Sequence, residues 1–144
     1  MSIQFEPFRV KHLEYIRPCA VQTDELQWLL EPANAEVLQS GVALSVWESG
    51  VCLGAAGVIP VWATRAEAWA MFTDKVGFKV MRACVKTMKN VLDGLSYKRV
   101  DMSVRAGNLH GHVLAKATGF VYECRLEAYH VSGDDMFMYK RIKR

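Results

Sequence analysis

At 144 residues the chain falls within the roughly 100 to 200 residues of one domain, so residues 1–144 are expected to form a single domain around one hydrophobic core. Its 51% hydrophobic and 23% charged residues exclude a disordered or fibrous chain. The formal net charge of +3 suits phosphate-bearing small ligands and falls short of the charge density of a dedicated nucleic-acid binder.

In chain order, a short strand is expected near 3–9, around Phe5 and Phe8, followed by two or three short helices ending at Ser40-Gly41. Thr23 has the chemistry of a helix N-cap, and Asp24 and Glu25 beside it suit the positive end of a helix dipole ahead of Leu26, Trp28, Leu29 and Leu30. Val42–Trp47 and Val51–Trp62 read as strands joined through Glu48-Ser49-Gly50 into a hairpin. The run from Ala66 to Thr73 has the alanine content of a helix, but it is too short for one and Asp74 to Gly77 breaks it, so a third central strand is expected.

Phe78, Met81, Val85, Met88 and Leu92 recur at intervals of three and four, with Cys84 and Val91 widening the stripe and Lys79, Arg82, Lys86 and Lys89 on the other side. This is an amphipathic helix, expected to end at a Gly94 C-cap. Val100, Met102 and Val104 alternate with polar residues as a half-buried strand. Asn108 can cap a second helix ended by Gly119, and Phe120–Val131 and Met136–Ile142 form a closing hairpin. The order of elements predicts an α/β (α+β) fold, one sheet with helices packed on it.

Cys19, Cys52, Cys84 and Cys124 stand singly, without a C-x-x-C pair or a histidine at zinc-finger spacing, so no structural metal is expected and the thiols read as reduced. His110 and His112 diverge on a helix and cannot form a metal pair. The apolar runs are broken well short of the ~20 residues of a membrane span, and no signal segment opens the chain, so a cytoplasmic protein without membrane contact is expected. G-x-S-x-G, P-loop and dinucleotide patterns are absent.

The junction that carries chemistry is the end of the strand at Phe72-Thr73, the loop Asp74-Lys75-Val76-Gly77 and the helix opening at Phe78. A strand feeding a helix through a glycine leaves backbone N–H groups pointing out of the helix start, where the dipole favours an anion, and Lys75 and Lys79 flank it. It is a candidate pyrophosphate seat.

The stretch Asn108-Leu109-His110-Gly111-His112-Val113-Leu114-Ala115-Lys116-Ala117-Thr118-Gly119-Phe120 resembles a segment of the GNAT superfamily of acyl-CoA N-acyltransferases. That family's pattern is roughly Asn-x-x-Ala-x-x-Leu-Tyr-x-Lys-x-Gly-Phe, and Asn108, Gly111, Leu114, Gly119 and Phe120 fall in register with it. The resemblance covers the order of elements from about Val42 to the end. It implies a mixed, mostly antiparallel sheet of six to seven strands with helices on both faces, splayed at the fourth and fifth strands. It also implies acetyl-CoA as co-substrate in the cleft and transfer of acetyl to a small-molecule or protein amine.

By the same resemblance, cofactor contacts fall on Met71, Phe72, Thr73, Lys75, Val76, Gly77, Phe78, Lys79, Arg82 and Asn108. A backbone N–H near Met71 would polarise the thioester carbonyl, and Glu67 stands where several of these enzymes place the carboxylate that removes a proton from the attacking amine. The sequence departs from the family in keeping one glycine in the phosphate loop, and in having Ala115 where the family's Tyr protonates the departing thiolate. Tyr122 and Tyr97 are the candidate replacement acids.

The reduced loop, the small size and Glu67-Ala68-Trp69 are also similar to GNAT-like proteins of tailed bacteriophages, which implies an alternative as a catalytically silent virion or host-binding protein, in host cytoplasm or virion. A second alternative is a basic nucleic-acid-binding domain using Lys79, Arg82, Lys86 and Lys89. Exposed edge strands in a small sheet allow a homodimer. The acceptor is not legible.

Overall fold

The computed structural model describes residues 2–16, 22–24, 27 and 31–144. Seven strands are present among the described residues: β1 (Ile3–Pro7), β2 (Ala43–Glu48), β3 (Val51–Trp62), β4 (Arg65–Phe72), β5 (Arg99–Arg105), β6 (Val121–Leu126) and β7 (Met136–Ile142). Among the described residues, a 3-10 turn covers Val10–Glu14, and the helices with described bounds are α1 (Pro32–Val37), α2 (Phe78–Gly94) and α3 (Leu109–Ala117). They form one sheet in the order β1-β2-β3-β4-β5-β7-β6. Every strand pair is antiparallel except β4 with β5.

Local sequence explains most of these elements. Ser49 (φ 50°) and Gly50 (φ 81°) both take positive φ, the two-residue turn whose twist matches the strands of a hairpin, and they join β2 to β3. The alanine-rich run of β4 is a strand because alternate residues serve different layers. Ala66, Ala68, Ala70 and Phe72 face the cluster under α2 and α3, whereas Trp69 and Met71 face Phe8, Leu13, Ile16 and Leu38 under the 3-10 turn and α1. Helices therefore cover both faces of the sheet. The polar side of α2, with Lys79, Arg82, Lys86 and Lys89, is exposed.

Three expectations need correction. Gly94 is the last residue of α2 and not a left-handed cap; the chain leaves through Leu95 in extended conformation (φ −81°, ψ 149°). The first strand of the closing hairpin stops at Leu126 rather than Val131, because Ala128 turns at φ 50° and its N–H bonds Asp135 Oδ1 at 2.8 Å. Thr23 and Asp24 already lie within a helical turn, so Thr23 does not precede the helix as an N-cap, and Glu25, Leu26, Trp28, Leu29 and Leu30 lie outside the described residues, as does Cys19. Cys52, Cys84 and Cys124 are free thiols.

Candidate functional site: a cleft where β4 and β5 part

β4 and β5 run parallel and pair at only three positions, Arg65 with Arg99, Ala66 with Val100 and Glu67 with Asp101. Beyond Glu67 the two strands part, and the opening faces the end of the sheet from which α2 and α3 start. The direction of the backbone along this opening follows from the β3 ladder. Thr73 N–H bonds the Leu53 carbonyl at 2.8 Å, and alternate residues of an antiparallel strand bond the same neighbour, so Met71 also turns its N–H and C=O toward β3. Ala70 and Phe72 then turn theirs toward the parted edge, and the Ala70 carbonyl accepts from Gln22 Nε2 at 3.1 Å on that side. The amides facing the opening are those flanking Met71, while the Met71 side chain is buried under the 3-10 turn and α1.

At the top of the opening, α2 begins at Gly77 (φ −67°, ψ 159°), which brings no side chain to the first turn. A Cβ built there would meet nothing within 4 Å, so the approach to these N–H groups is open. Asp74, Lys75, Phe78, Lys79 and Arg82 are exposed, and the Arg82 guanidinium carbon lies 5.6 Å from the centre of the Phe78 ring. Val76 packs against Val46, Val80 and Cys84 and anchors the loop. On the far wall, Asn108 Oδ1 accepts from Gly111 N–H at 3.0 Å and caps α3. A Cβ on Gly111 would stand 2.7 Å from Val104 Cγ1, so the glycine lets α3 lie close on β5.

An apolar cavity of about 50 Å³ lies between α2 and the sheet, and its lining includes Ala68 and Phe72 of β4 and Met102 of β5. On the other face, the opening is flanked by two segments tied to Arg105 at the tip of β5. Arg105 pairs with Asp134 of the β6–β7 loop at 2.7 Å and with Asp24 at 3.7 Å. A second hollow, of about 560 Å³, sits at the opposite end of the sheet. Three of its cations are committed to protein: Arg141 pairs with Asp93, Lys143 Nζ donates to the Leu95 carbonyl at 2.6 Å, and Lys140 pairs with Glu123 at 3.1 Å.

Glu67 sits at the apex of the opening, its side chain 50% exposed and paired with Arg65 at 2.9 Å. Asp101 opposite it is 4% exposed and takes Arg65 Nε on one oxygen and Arg99 Nε on the other, each at 2.5 Å. Arg99 continues to Glu123. These partners were missed from the sequence, although Arg65-Ala66-Glu67 and Arg99-Val100-Asp101 repeat an Arg-x-acid spacing at the start of two strands.

Tyr122 stands on β6, with β7 between it and β5, and its ring packs on Phe137 and Tyr139. Tyr97 lies at the far end, by the C terminus of α2. Ala115 is fully buried in the core. His112 has both ring nitrogens engaged, Nε2 with the Ala106 carbonyl at 2.9 Å and Nδ1 with the Tyr139 hydroxyl at 2.8 Å. His110 is exposed, and no metal-binding group of side chains is found among the described residues. No helix among them is long and apolar enough to cross a membrane.

No family model and no curated protein matches the chain. Solved structures do. A GNAT-family acetyltransferase from Bacillus anthracis superposes with a TM-score of 0.68 at 13% identity, over 97% of this chain and 94% of that one. The fold is that of the GNAT acetyltransferases. An IAA acetyltransferase from Bacillus cereus shares this GNAT fold with a TM-score of 0.71 at 12% identity, over 99% of this chain and 100% of that one. So does the microcin C7 self-immunity acetyltransferase MccE, solved in complex with acetyl-CoA and AMP, with a TM-score of 0.68 at 16% identity over 98% and 92% of the two chains.

Proposed function

We propose that the chain is an acetyl-CoA-dependent N-acetyltransferase that moves an acetyl group to an amine. The observation that carries this reading is the parting of β4 from β5 after three residue pairs, beside a 17-residue helix opening on a glycine. Such an opening fits an extended, phosphate-bearing ligand: backbone amides line one edge, and the helix start favours a diphosphate.

Bound acetyl-CoA supplies a thioester, an acyl group activated toward an amine. Among this chain's residues, the amides of Phe78, Lys79 and Val80 in the first turn of α2 have no preceding turn to bond and are suited to phosphate oxygens, with Gly77 allowing close approach. Lys75, Lys79 and Arg82 add positive charge around them. The N–H groups of Ala70 and Phe72 are suited to bond the ligand's amides and to polarise the acyl carbonyl. Thr73 spends its N–H on Leu53, so its contribution is to hold the strand in place. Asn108 acts through the start of α3, since its Oδ1 is engaged in the cap.

Glu67 is the general base, taking a proton from the attacking ammonium so that the nitrogen lone pair is free for the acyl carbon. The test is thiol release from acetyl-CoA in the presence of amines. Glu67→Gln should lower turnover with acetyl-CoA affinity unchanged, and wild-type rates in that variant would remove Glu67 from the mechanism.

A second reading, a module that binds the cofactor without turnover, is favoured by the burial of Ala115 and by the remoteness of Tyr122 and Tyr97 from the parted edge. It requires acetyl-CoA binding with no thiol release whatever amine is offered.

A further inference from the structure

Arg65 is held on three sides. Its guanidinium carbon lies 5.3 Å from the centre of the Trp62 ring, its Nε donates to Asp101 Oδ2 at 2.5 Å, and its Nη2 donates to Glu67 Oε1 at 2.9 Å. Asp101 and Glu67 face one another across the last pair of the parallel ladder, so two carboxylates meet where the strands part, one buried and one half exposed. The buried carboxylate is fixed from its other side by Arg99, whose guanidinium goes on to Glu123. The fork of Arg65 thus stands on an immobile anchor and reaches outward to a carboxylate that faces solvent.

We propose that Arg65 is a positioning residue for Glu67: anchored on Asp101, its guanidinium fixes one oxygen of the Glu67 carboxylate and leaves the other free to take the proton at the parted edge. The inference rests on the transferase reading of Glu67. In that step an N–H bond of the acceptor ammonium breaks and an O–H bond forms on Glu67. The nitrogen lone pair then bonds the acyl carbon, the C–S bond breaks with its electron pair leaving on sulfur, and the second proton of the attacking nitrogen passes, directly or through water, to that thiolate, so that a neutral amide and a free thiol result. A carboxylate free to swing would meet the ammonium in the wrong geometry more often than in the right one. Lysine cannot replace the fork, because a single ammonium cannot span two acceptors with the fixed geometry that Nε and Nη2 provide.

The experiment measures thiol release from acetyl-CoA with water alone, and with a lysine ester, a polyamine and a peptide bearing a free amino terminus. It compares wild type, Arg65→Lys, Glu67→Gln, the double variant and Glu67→Asp. Arg65→Lys keeps a cation beside Asp101, and acetyl-CoA affinity by calorimetry reports whether it is folded. Its kcat should fall about 10- to 100-fold with KM for acetyl-CoA unchanged, and adding it to Glu67→Gln should cause no further fall. Glu67→Asp, which withdraws the carboxylate from Arg65 without disturbing Asp101, should show a similar loss.

Wild-type kcat in Arg65→Lys or in Glu67→Asp, or losses that multiply in the double variant, would overturn the positioning role while leaving Glu67 as base. Wild-type rates in Glu67→Gln, or no thiol release by the wild type under any condition, would overturn the reading of Glu67 and the role of Arg65 together.

Discussion

Glu67 and Asp101 are the last residues of β4 and β5 to face one another, and Arg65 bonds both of them. The apex of the cleft is therefore held by charge on one face of the sheet. On the other face Ala66 and Val100, the preceding pair, are buried beneath α2 and α3, so the adjacent rung is closed by apolar packing.

Asp101 is the structural member of this apex. It is almost fully buried with a guanidinium on each oxygen, and Asp101→Asn would leave Arg65 and Arg99 facing a neutral amide. Removing one partner of a buried ion pair costs about 3 kcal/mol at the lower end of the usual range, the end that suits arginines partly open to water. Urea unfolding should show that loss, and an unchanged midpoint would mean that solvent replaces the carboxylate at no cost.

The same network gives stability a pH dependence. The Glu123 carboxyl is lowered from 4.5 to about 2, first by its bonds to Arg99 and then by Lys140. A carboxyl depressed in the folded state binds its proton earlier in the unfolded chain, so its contribution is complete above the unfolded value and is lost as pH falls toward the folded one. Stability should decline as pH falls through that window, and Glu123→Gln should flatten the decline. An identical slope in the variant would assign the loss to other carboxyls.

Two glycines should respond unequally to alanine. A Cβ on Gly57 would lie 2.5 Å from Ala43 Cβ and 2.6 Å from the Val42 carbonyl oxygen, backbone and near-backbone atoms that cannot turn aside. Gly57→Ala should cost about 2 kcal/mol through displacement of β2 from β3. Gly77 has ordinary backbone angles and open space, so Gly77→Ala should change stability by no more than about 0.5 kcal/mol. Thermal denaturation of the two variants checks both, and equal losses would contradict the geometry.

Tyr139 ties β7 to α3. With His112 Nε2 donating to the Ala106 carbonyl, the neutral ring offers Nδ1 as acceptor and the Tyr139 hydroxyl donates to it. Tyr139→Phe keeps the buried ring and removes only that bond, which should destabilise by about 1 kcal/mol. A variant as stable as the wild type would show that the bond contributes nothing net.

What the sequence disclosed was what local periodicity encodes. The stripe on α2, the alternation in β5, the positive-φ pair Ser49-Gly50 and the Asn108 cap each act within a few residues, and all were readable. The charge network was not, because Arg65, Asp101 and Glu123 become neighbours only through strand order. The placement of Tyr122 was not legible for the same reason: it follows Gly119-Phe120 closely in sequence, yet β7 returns between β5 and β6. Glycine often ends helices through a left-handed residue, but after Gly94 the chain continues through Leu95 in extended conformation and no left-handed residue is needed. The cleft itself was expected from the family resemblance alone, since nothing in the residues of β4 and β5 states that their pairing stops after Glu67 and Asp101.

The most direct measurement is calorimetric titration of acetyl-CoA into the wild type and into Gly77→Glu, where the new carboxylate would face the diphosphate from an open position without disturbing the fold. The expected result is micromolar binding by the wild type and its loss in the variant. No heat from the wild type at millimolar cofactor, or an unchanged dissociation constant in Gly77→Glu, would contradict the assignment of this cleft.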